Sequence, residues 1–295
     1  MQTRNDKILA FCNLDGLGLE ISPSYNPVLP KARGYRVETL DVLDKEGLRR
    51  HYTGHNVNLD NIEDVDYVLA GNSYADAVGK TDCYDFIIAS HVIEHVLDII
   101  GFFKDCVKLL KPYGVLSLVV PDKRYCFDFF RPLTLAGSAI NSAGETKKHS
   151  LGVVVEHFLH TGNIDMGIAW GKNADRGKIH LNHTTEQVKG MIDLYRGSPD
   201  GYIDAHRWVF TKSSFELLFN DLVSLDFLSN IVILKSYDVE GCEFYISLQK
   251  VPDDAYIKPP FDQNERLGLL MEIERELRET PIKTGKRGLR KWIKK

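Results

Sequence analysis

The sequence predicts an α/β fold: a mostly parallel seven-stranded sheet with a final antiparallel strand, helices on both faces, and an insertion or cap after strand five. Three observations predict it. Short β-branched runs alternate with segments of helical periodicity, the pattern of successive strand–helix–strand units. The segment Tyr84–Ser90 is a continuous apolar run of the kind buried on both faces of a sheet. Acidic and turn-forming residues close the first, second and fourth strands, where open α/β sheets bind ligands.

The elements follow in order. Gly18–Ile21 reads as the first strand, and residues 35–40 as the second, ending at Asp41. A weaker third strand lies over residues 65–70, and Tyr84–Ser90 is the fourth. Ile99, Phe102, Phe103, Val107 and Leu110 recur at helical spacing, so a helix follows. Lys111-Pro112-Tyr113-Gly114 should stop it, since it combines a cation, a proline and a glycine. Residues 115–120 then form the fifth strand. Residues 123–205 show weak periodicity and are too long for a simple connection, which predicts an inserted functional segment. Ser213-Ser214-Phe215-Glu216 starts another helix. Residues 229–235 and 242–248 read as an antiparallel hairpin. Residues 262–279 form a charged helix with Leu267, Leu270, Ile273 and Leu277 on one face. The expected organisation is therefore a core of residues 1–122 and 206–250, a substrate-binding insertion of 123–205, and a C-terminal helix and basic tail of 251–295.

Composition narrows the class. The chain has 295 residues, 43% hydrophobic, enough for a sizeable core. A net charge of −4 argues against nucleic acid as a partner. The N-terminus lacks the apolar run of a signal peptide, and residues 115–120 are too few to cross a bilayer. The five cysteines are dispersed and form no CxxC pair, which fits a reducing, cytoplasmic setting.

Three segments converge where a ligand would sit. Glu20-Ile21-Ser22-Pro23-Ser24 leads from the first strand into a loop of small residues and turn formers. Asp41 follows Glu20 by 21 residues and can accept hydrogen bonds from both hydroxyls of a ribose. Ser90-His91-Val92-Ile93-Glu94-His95 turns the fourth strand into a helix and offers backbone N–H groups. Singly, each reads as well as a cap or a tight turn; their joint order favours a binding site.

The run Asp85-Phe86-Ile87-Ile88-Ala89-Ser90-His91-Val92-Ile93-Glu94-His95, followed by Leu109-Leu110-Lys111-Pro112-Tyr113-Gly114, resembles the class I S-adenosylmethionine-dependent methyltransferases, a Rossmann-like family. Tyr113 stands where that family has a first glycine. The resemblance covers residues 18–122 and 208–249. It implies S-adenosyl-L-methionine as cofactor and S-adenosyl-L-homocysteine as product. It further implies that Glu20 anchors the methionine amino group, that Ser22 and Ser24 occupy the usual glycine positions, and that Asp41 holds the ribose. Gly71, Asn72 and Ser73 would meet adenine, and Ser90 and His91 the methionine end. The loop departs from the family's acid-x-Gly-x-Gly pattern, and the two serines and Pro23 restrict its backbone.

Methyl transfer needs an aligned acceptor and, for a hydroxyl, a proton acceptor. His91 and Asp122 are the candidates by position, at the ends of strands four and five. Arg124, Tyr125, His206 and Trp208 are candidates for the acceptor side. The expected acceptor is a small molecule or a carbohydrate. Resemblance to members associated with surface polysaccharide synthesis points to the latter. His157/His160 and His180/His183 have i,i+3 spacing, but with no cysteine nearby the expectation is no metal. The basic tail, with Leu289, Trp292 and Ile293, suits weak contact with an anionic membrane surface. Two other readings stay open. One is a nicotinamide-dependent oxidoreductase, which shares the acid after the second strand but needs a Gly-x-Gly-x-x-Gly that is absent. The other is a catalytically silent methyltransferase-like binding module.

Overall fold

Gly18 opens the first strand because only glycine fits there: a Cβ would lie 2.2 Å from the Phe86 ring of the neighbouring strand. The structure is a computed structural model, and it describes residues 2–145, 147–198 and 201–279, without the side chain of Arg176. The basic tail from residue 283 lies outside the described residues.

Along the chain the strands are β1 (Gly18–Ile21), β2 (Val37–Asp41), β3 (Tyr67–Val68), β4 (Tyr84–Ser90), β5 (Leu110–Pro121), β6 (Gly162–Asn163), β7 (His180–Leu181), β8 (Ile231–Glu240) and β9 (Glu243–Lys250). Seven form one sheet in the order β3-β2-β1-β4-β5-β9-β8. Strands β1 to β5 are mutually parallel, and β9 runs antiparallel between β5 and β8. The final strand is thus the antiparallel one, inside the sheet. β1 lies between β2 and β4, so the chain reverses its direction of travel across the sheet there. That switch point opens a crevice at the strands' carboxyl ends.

The helices are α1 (Arg4–Leu9), α2 (Lys45–Tyr52), α3 (Tyr74–Val78), α4 (Ile99–Leu109), α5 (Ala136–Asn141), α6 (Leu151–His160), α7 (Thr185–Gly197), α8 (Lys212–Ser224) and α9 (Gln263–Arg278). Alternate strand residues point to opposite faces. Leu19, Ile87, Leu116 and Ile246 join Phe102 and Phe103 of α4 and Phe215 and Leu222 of α8 in the larger core. Phe86, Ile88, Val119 and Tyr245 face the other way, onto Ile8 of α1 and Val28 and Leu29 of the loop after β1.

Several boundaries differ from expectation. α4 ends at Leu109, and Leu110 to Gly114 already belong to β5, with Tyr113 at φ 64°. The hairpin turn is only Gly241-Cys242, because β8 continues to Glu240. α9 is not anchored by its leucine stripe: Leu267 is 56% exposed, while Ile273 and Glu276 are buried. Among the described residues, 123–205 hold three α-helices. Their periodicity was faint because α6 buries only Val154 and α7 only Val188. Both are started by side-chain caps, Ser150 for α6 and Thr184, in a capping box with Gln187, for α7.

Candidate active site

The loop after β1 keeps a glycine-like backbone with serine side chains. Ser22 and Ser24 have φ of 50° and 49°, in the left-handed region. Each such residue costs about 1–2 kcal/mol without glycine, so the surroundings must impose the geometry. They do: Ser22 N–H donates to Leu40 O at 2.7 Å, and Ser24 N–H donates to Asp41 Oδ2 at 3.3 Å. His91, after β4, has φ 55°, and Gly71, after β3, has φ 79°. Ser22, Ser24, Gly71 and His91 thus place left-handed backbone at the carboxyl ends of three parallel strands, the kind of strain that binding sites hold.

Glu20 is 2% exposed, and its two oxygens accept from Val28 N–H at 2.6 Å and Leu29 N–H at 3.2 Å. Burial pushes its pKa up to about 7 despite those bonds. In this conformation both oxygens hold the loop, so Glu20 shapes the site. Asp41 is 1% exposed and accepts from Val42 N–H at 2.7 Å as well as from Ser24. Burial pushes its pKa up to about 6, against those backbone N–H groups. Of the segment after β3, Asn72 Oδ1 accepts from Ala70 N–H and Ser73 Oγ caps α3 through Asp76 N–H. Ser90 Oγ accepts from Arg4 Nη2 at 3.0 Å, which ties α1 to the end of β4.

His91 is not placed as a base. Its Nε2 donates to Glu243 Oε2 at 2.7 Å, and its Nδ1 stands 3.4 Å from Glu94 Oε1. Burial opposes its charge, but the two carboxylates outweigh it and hold the pKa up to about 10. Both ring nitrogens carry protons at neutral pH, and neither has a lone pair to accept another. Asp122 is not placed as a base either. It is fully buried and takes Arg124 Nε and Nη2 on its two oxygens, each at 2.8 Å.

The acceptor-side expectations change accordingly. Arg124 is 6% exposed and turns inward to Asp122 and to Glu276 of α9, 3.8 Å away. Tyr125 is 5% exposed and lies beneath the Arg124 guanidinium. Trp208 is 1% exposed, donates its Nε1–H to Val96 O at 2.6 Å and packs in the larger core. Only His206 comes to the carboxyl end of β4. Arg207 and Trp208 N–H both donate to Glu94 O, at 2.8 and 3.2 Å, so residues 206–208 are strapped across the turn after β4. His206 therefore meets His95 with ring centroids 4.5 Å apart. The histidine pairs at i,i+3 form no common site. His157 turns to the His206 backbone N–H at 3.1 Å while His160 is exposed, and His180 and His183 are not on a helix.

A family model described as a methyltransferase domain matches residues 9–221, more than two thirds of the chain. This chain belongs to that methyltransferase family. With its mostly parallel seven-stranded sheet, it is a class I S-adenosylmethionine-dependent methyltransferase. The methyltransferase is also similar to solved structures. One is the S-adenosylmethionine-dependent methyltransferase of Mesorhizobium loti, at 12% identity over 82% of this chain and 95% of that one, TM-score 0.43. Another is the CcbJ methyltransferase of Streptomyces caelestis, at 12% identity over 85% and 97%, TM-score 0.41. A third is a SAM-dependent methyltransferase of Methanosarcina mazei, at 14% identity over 83% and 97%, TM-score 0.38. The search of curated proteins finds no match.

The methyltransferase's own residues fit S-adenosylmethionine. A buried carboxylate at the end of β2 and a positive-φ loop after β1 are what a nucleoside and its aminoacyl arm need: one strong acceptor and a close backbone. Sequence reasoning missed Arg4 and Glu243, which lie 239 residues apart and form an ion pair at 2.7 Å beside His91. No local signal marks such a pair. It also missed Asp128 and Asp204, whose partners are histidines far along the chain. Among the described residues, no helix is long and apolar enough to cross a membrane.

Proposed function

We propose that this methyltransferase moves the methyl group of S-adenosylmethionine to a hydroxyl of a small-molecule or carbohydrate acceptor. The observation that carries the cofactor half is Asp41: a carboxylate buried at the end of β2, with backbone N–H groups as its hydrogen-bond partners. In the proposed arrangement Asp41 takes the ribose hydroxyls. The backbone of Ser22 and Ser24 approaches the aminoacyl arm, Glu20 fixes that loop through Val28 and Leu29, and Gly71, Asn72 and Ser73 flank adenine. Ser90 and His91 border the methionine end. The cofactor supplies a sulfonium-activated methyl group. Bound there, the cofactor would offer that methyl carbon to an acceptor oxygen in line with its carbon–sulfur bond, S-adenosylhomocysteine would be the leaving group, and the hydroxyl proton would pass to water.

His91 and Asp122 are both engaged, so the acceptor's oxygen belongs beside Glu94, His95 and His206. Residues 123–205 are proposed as the acceptor-binding cap. Tyr202, 52% exposed and donating to Asp204 Oδ1 at 3.2 Å, supports a sugar acceptor, since its open ring face can stack on one. All five cysteines are unpaired, which supports a reducing, cytoplasmic setting.

Calorimetric titration with S-adenosylhomocysteine tests the reading. Wild-type protein should bind it, and Asp41→Ala should weaken binding by about 10- to 100-fold, the worth of one charge-assisted hydrogen bond. A wild-type protein that takes up no S-adenosylhomocysteine would leave only a silent binding module. Incubation with sugar and small-alcohol acceptors, read by a mass gain of one methyl group, tests the acceptor class. Methylation confined to amines would overturn it.

A further inference from the structure

Glu94 poses a problem that the cofactor site does not solve. Its side chain is 1% exposed, and neither carboxylate oxygen has a hydrogen-bond partner. A buried carboxylate without such partners is strongly disfavoured. His91 Nδ1, 3.4 Å away, compensates the charge from one side only and without hydrogen-bond geometry. Two further imidazoles stand close by: one ligand atom each from Glu94, His95 and His206 lie within 4.8 Å of one another.

The two rings are held as metal-binding rings are held. His95 Nδ1 is bonded to Asp204 Oδ1 at 2.8 Å, and His206 Nδ1 to Asp128 Oδ2 at 2.5 Å. An Nδ1–H given to a carboxylate fixes the tautomer, makes the ring a better ligand and leaves the Nε2 lone pair available. Among the described residues, neither Nε2 makes a hydrogen bond. The supporting carboxylates are themselves supported, Asp128 by Arg131 Nη1 at 3.0 Å and Asp204 by the Tyr202 hydroxyl. Access is open on one side, because the His95 side chain is 32% exposed.

We infer that Glu94, His95 and His206 bind a divalent first-row transition ion. Two imidazoles and one carboxylate are a borderline ligand set that suits zinc or iron(II) and leaves coordination positions open. Ligand bonds of about 2.0–2.1 Å put two ligands on a tetrahedral ion roughly 3.4 Å apart. The present 4.8 Å span must therefore close by side-chain rotation. A role for the ion in holding the acceptor oxygen rests on the methyl-transfer reading above; ion binding itself does not.

The test is a zinc titration of chelator-treated full-length protein, by calorimetry and by elemental analysis after desalting. One ion per chain is expected. Glu94→Gln and His95→Ala should each weaken binding at least 100-fold, and Asp204→Asn, one shell out, by about 10- to 100-fold. His95 is partly exposed, so its removal tests the site without emptying the core; melting temperatures confirm that each variant is folded. No zinc uptake by the wild type overturns the site. So does uptake that survives in both folded Glu94→Gln and His95→Ala. S-adenosylhomocysteine is titrated in parallel. Asp41→Ala should lose that ligand and keep zinc, so failure of the metal site and failure of the cofactor reading are separately visible.

Discussion

Asp41 keeps its proton to about pH 6 because burial disfavours the carboxylate, while ribose hydroxyls donate best to the ionised form. In the proposed site, cofactor binding and deprotonation are therefore linked. The sign follows: an acid with a raised pKa is mostly protonated at low pH, so the binding form is scarce there and grows as pH rises through 6. S-adenosylhomocysteine affinity should fall by about tenfold between pH 7.5 and pH 5. Titrations at both pH values in wild type and Asp41→Asn check this. The variant should bind weakly and with no such slope, and an unchanged slope would assign it to another group. Asp41 was legible in the sequence because an acid that ends a strand keeps its place wherever the rest of the chain goes. The loop was half legible. Its serines break the glycine pattern chemically, yet at φ near 50° they reproduce its backbone, so the departure lies in side chains and not in shape. His91 was misread because its decisive partner, Glu243, is 152 residues away. Its place at the end of the strand was predictable; its protonation was not.

At the scale of elements, the single-turn 3₁₀ helix Lys123–Tyr125 and α9 are joined by one buried cluster. Arg124 bridges Asp122, which caps that turn through Arg124 N–H, and Glu276, which also accepts from Ser213 Oγ at 3.0 Å. This explains why the leucine stripe of α9 was a poor guide: the helix is fixed by a carboxylate and Ile273, and three of its four leucine-stripe positions stay partly exposed. Arg124→Ala removes a cation that bridges Asp122 and Glu276 and leaves buried negative charge, which costs about 3–5 kcal/mol. The melting temperature should drop by roughly 10 °C. S-adenosylhomocysteine affinity should stay within about twofold, far below the tenfold that 1.4 kcal/mol represents. A stable Arg124→Ala enzyme with a raised KM for acceptor would return Arg124 to the substrate side. Elsewhere, elements were legible where burial was strong. β4 was placed to the residue because all but two of its seven positions are buried. β3 shrank to two residues because Tyr67 is only partly buried and Val68 is exposed. The helices of residues 123–205 were faint because each lays little apolar surface on the core.

Over the whole molecule, the sheet's two faces are covered unequally, and the loop proposed to bind the cofactor belongs to the thinner cover. One face is packed by α4 and α8 with their phenylalanines. The other rests on Ile8 of α1 and on Val28 and Leu29, the same two residues whose N–H groups hold Glu20. α1 is pinned there by Ser117 Oγ donating to Ile8 O at 2.6 Å, and Arg4 reaches from it to Ser90 and Glu243. A defect on the thin face should therefore reach the cofactor loop, while an equal defect on the thick face should not. Ile8→Ala and Leu222→Ala remove similar volume from fully buried positions, one on each face. Each should cost about 2–5 kcal/mol by denaturant titration. Ile8→Ala alone should also weaken S-adenosylhomocysteine binding by about tenfold or more, through the loss of support under Val28 and Leu29. Matched stability with equal affinity in the two variants would mean that the loop is held from within, by Ser22 and Ser24 on β2, and that the thin face serves stability alone.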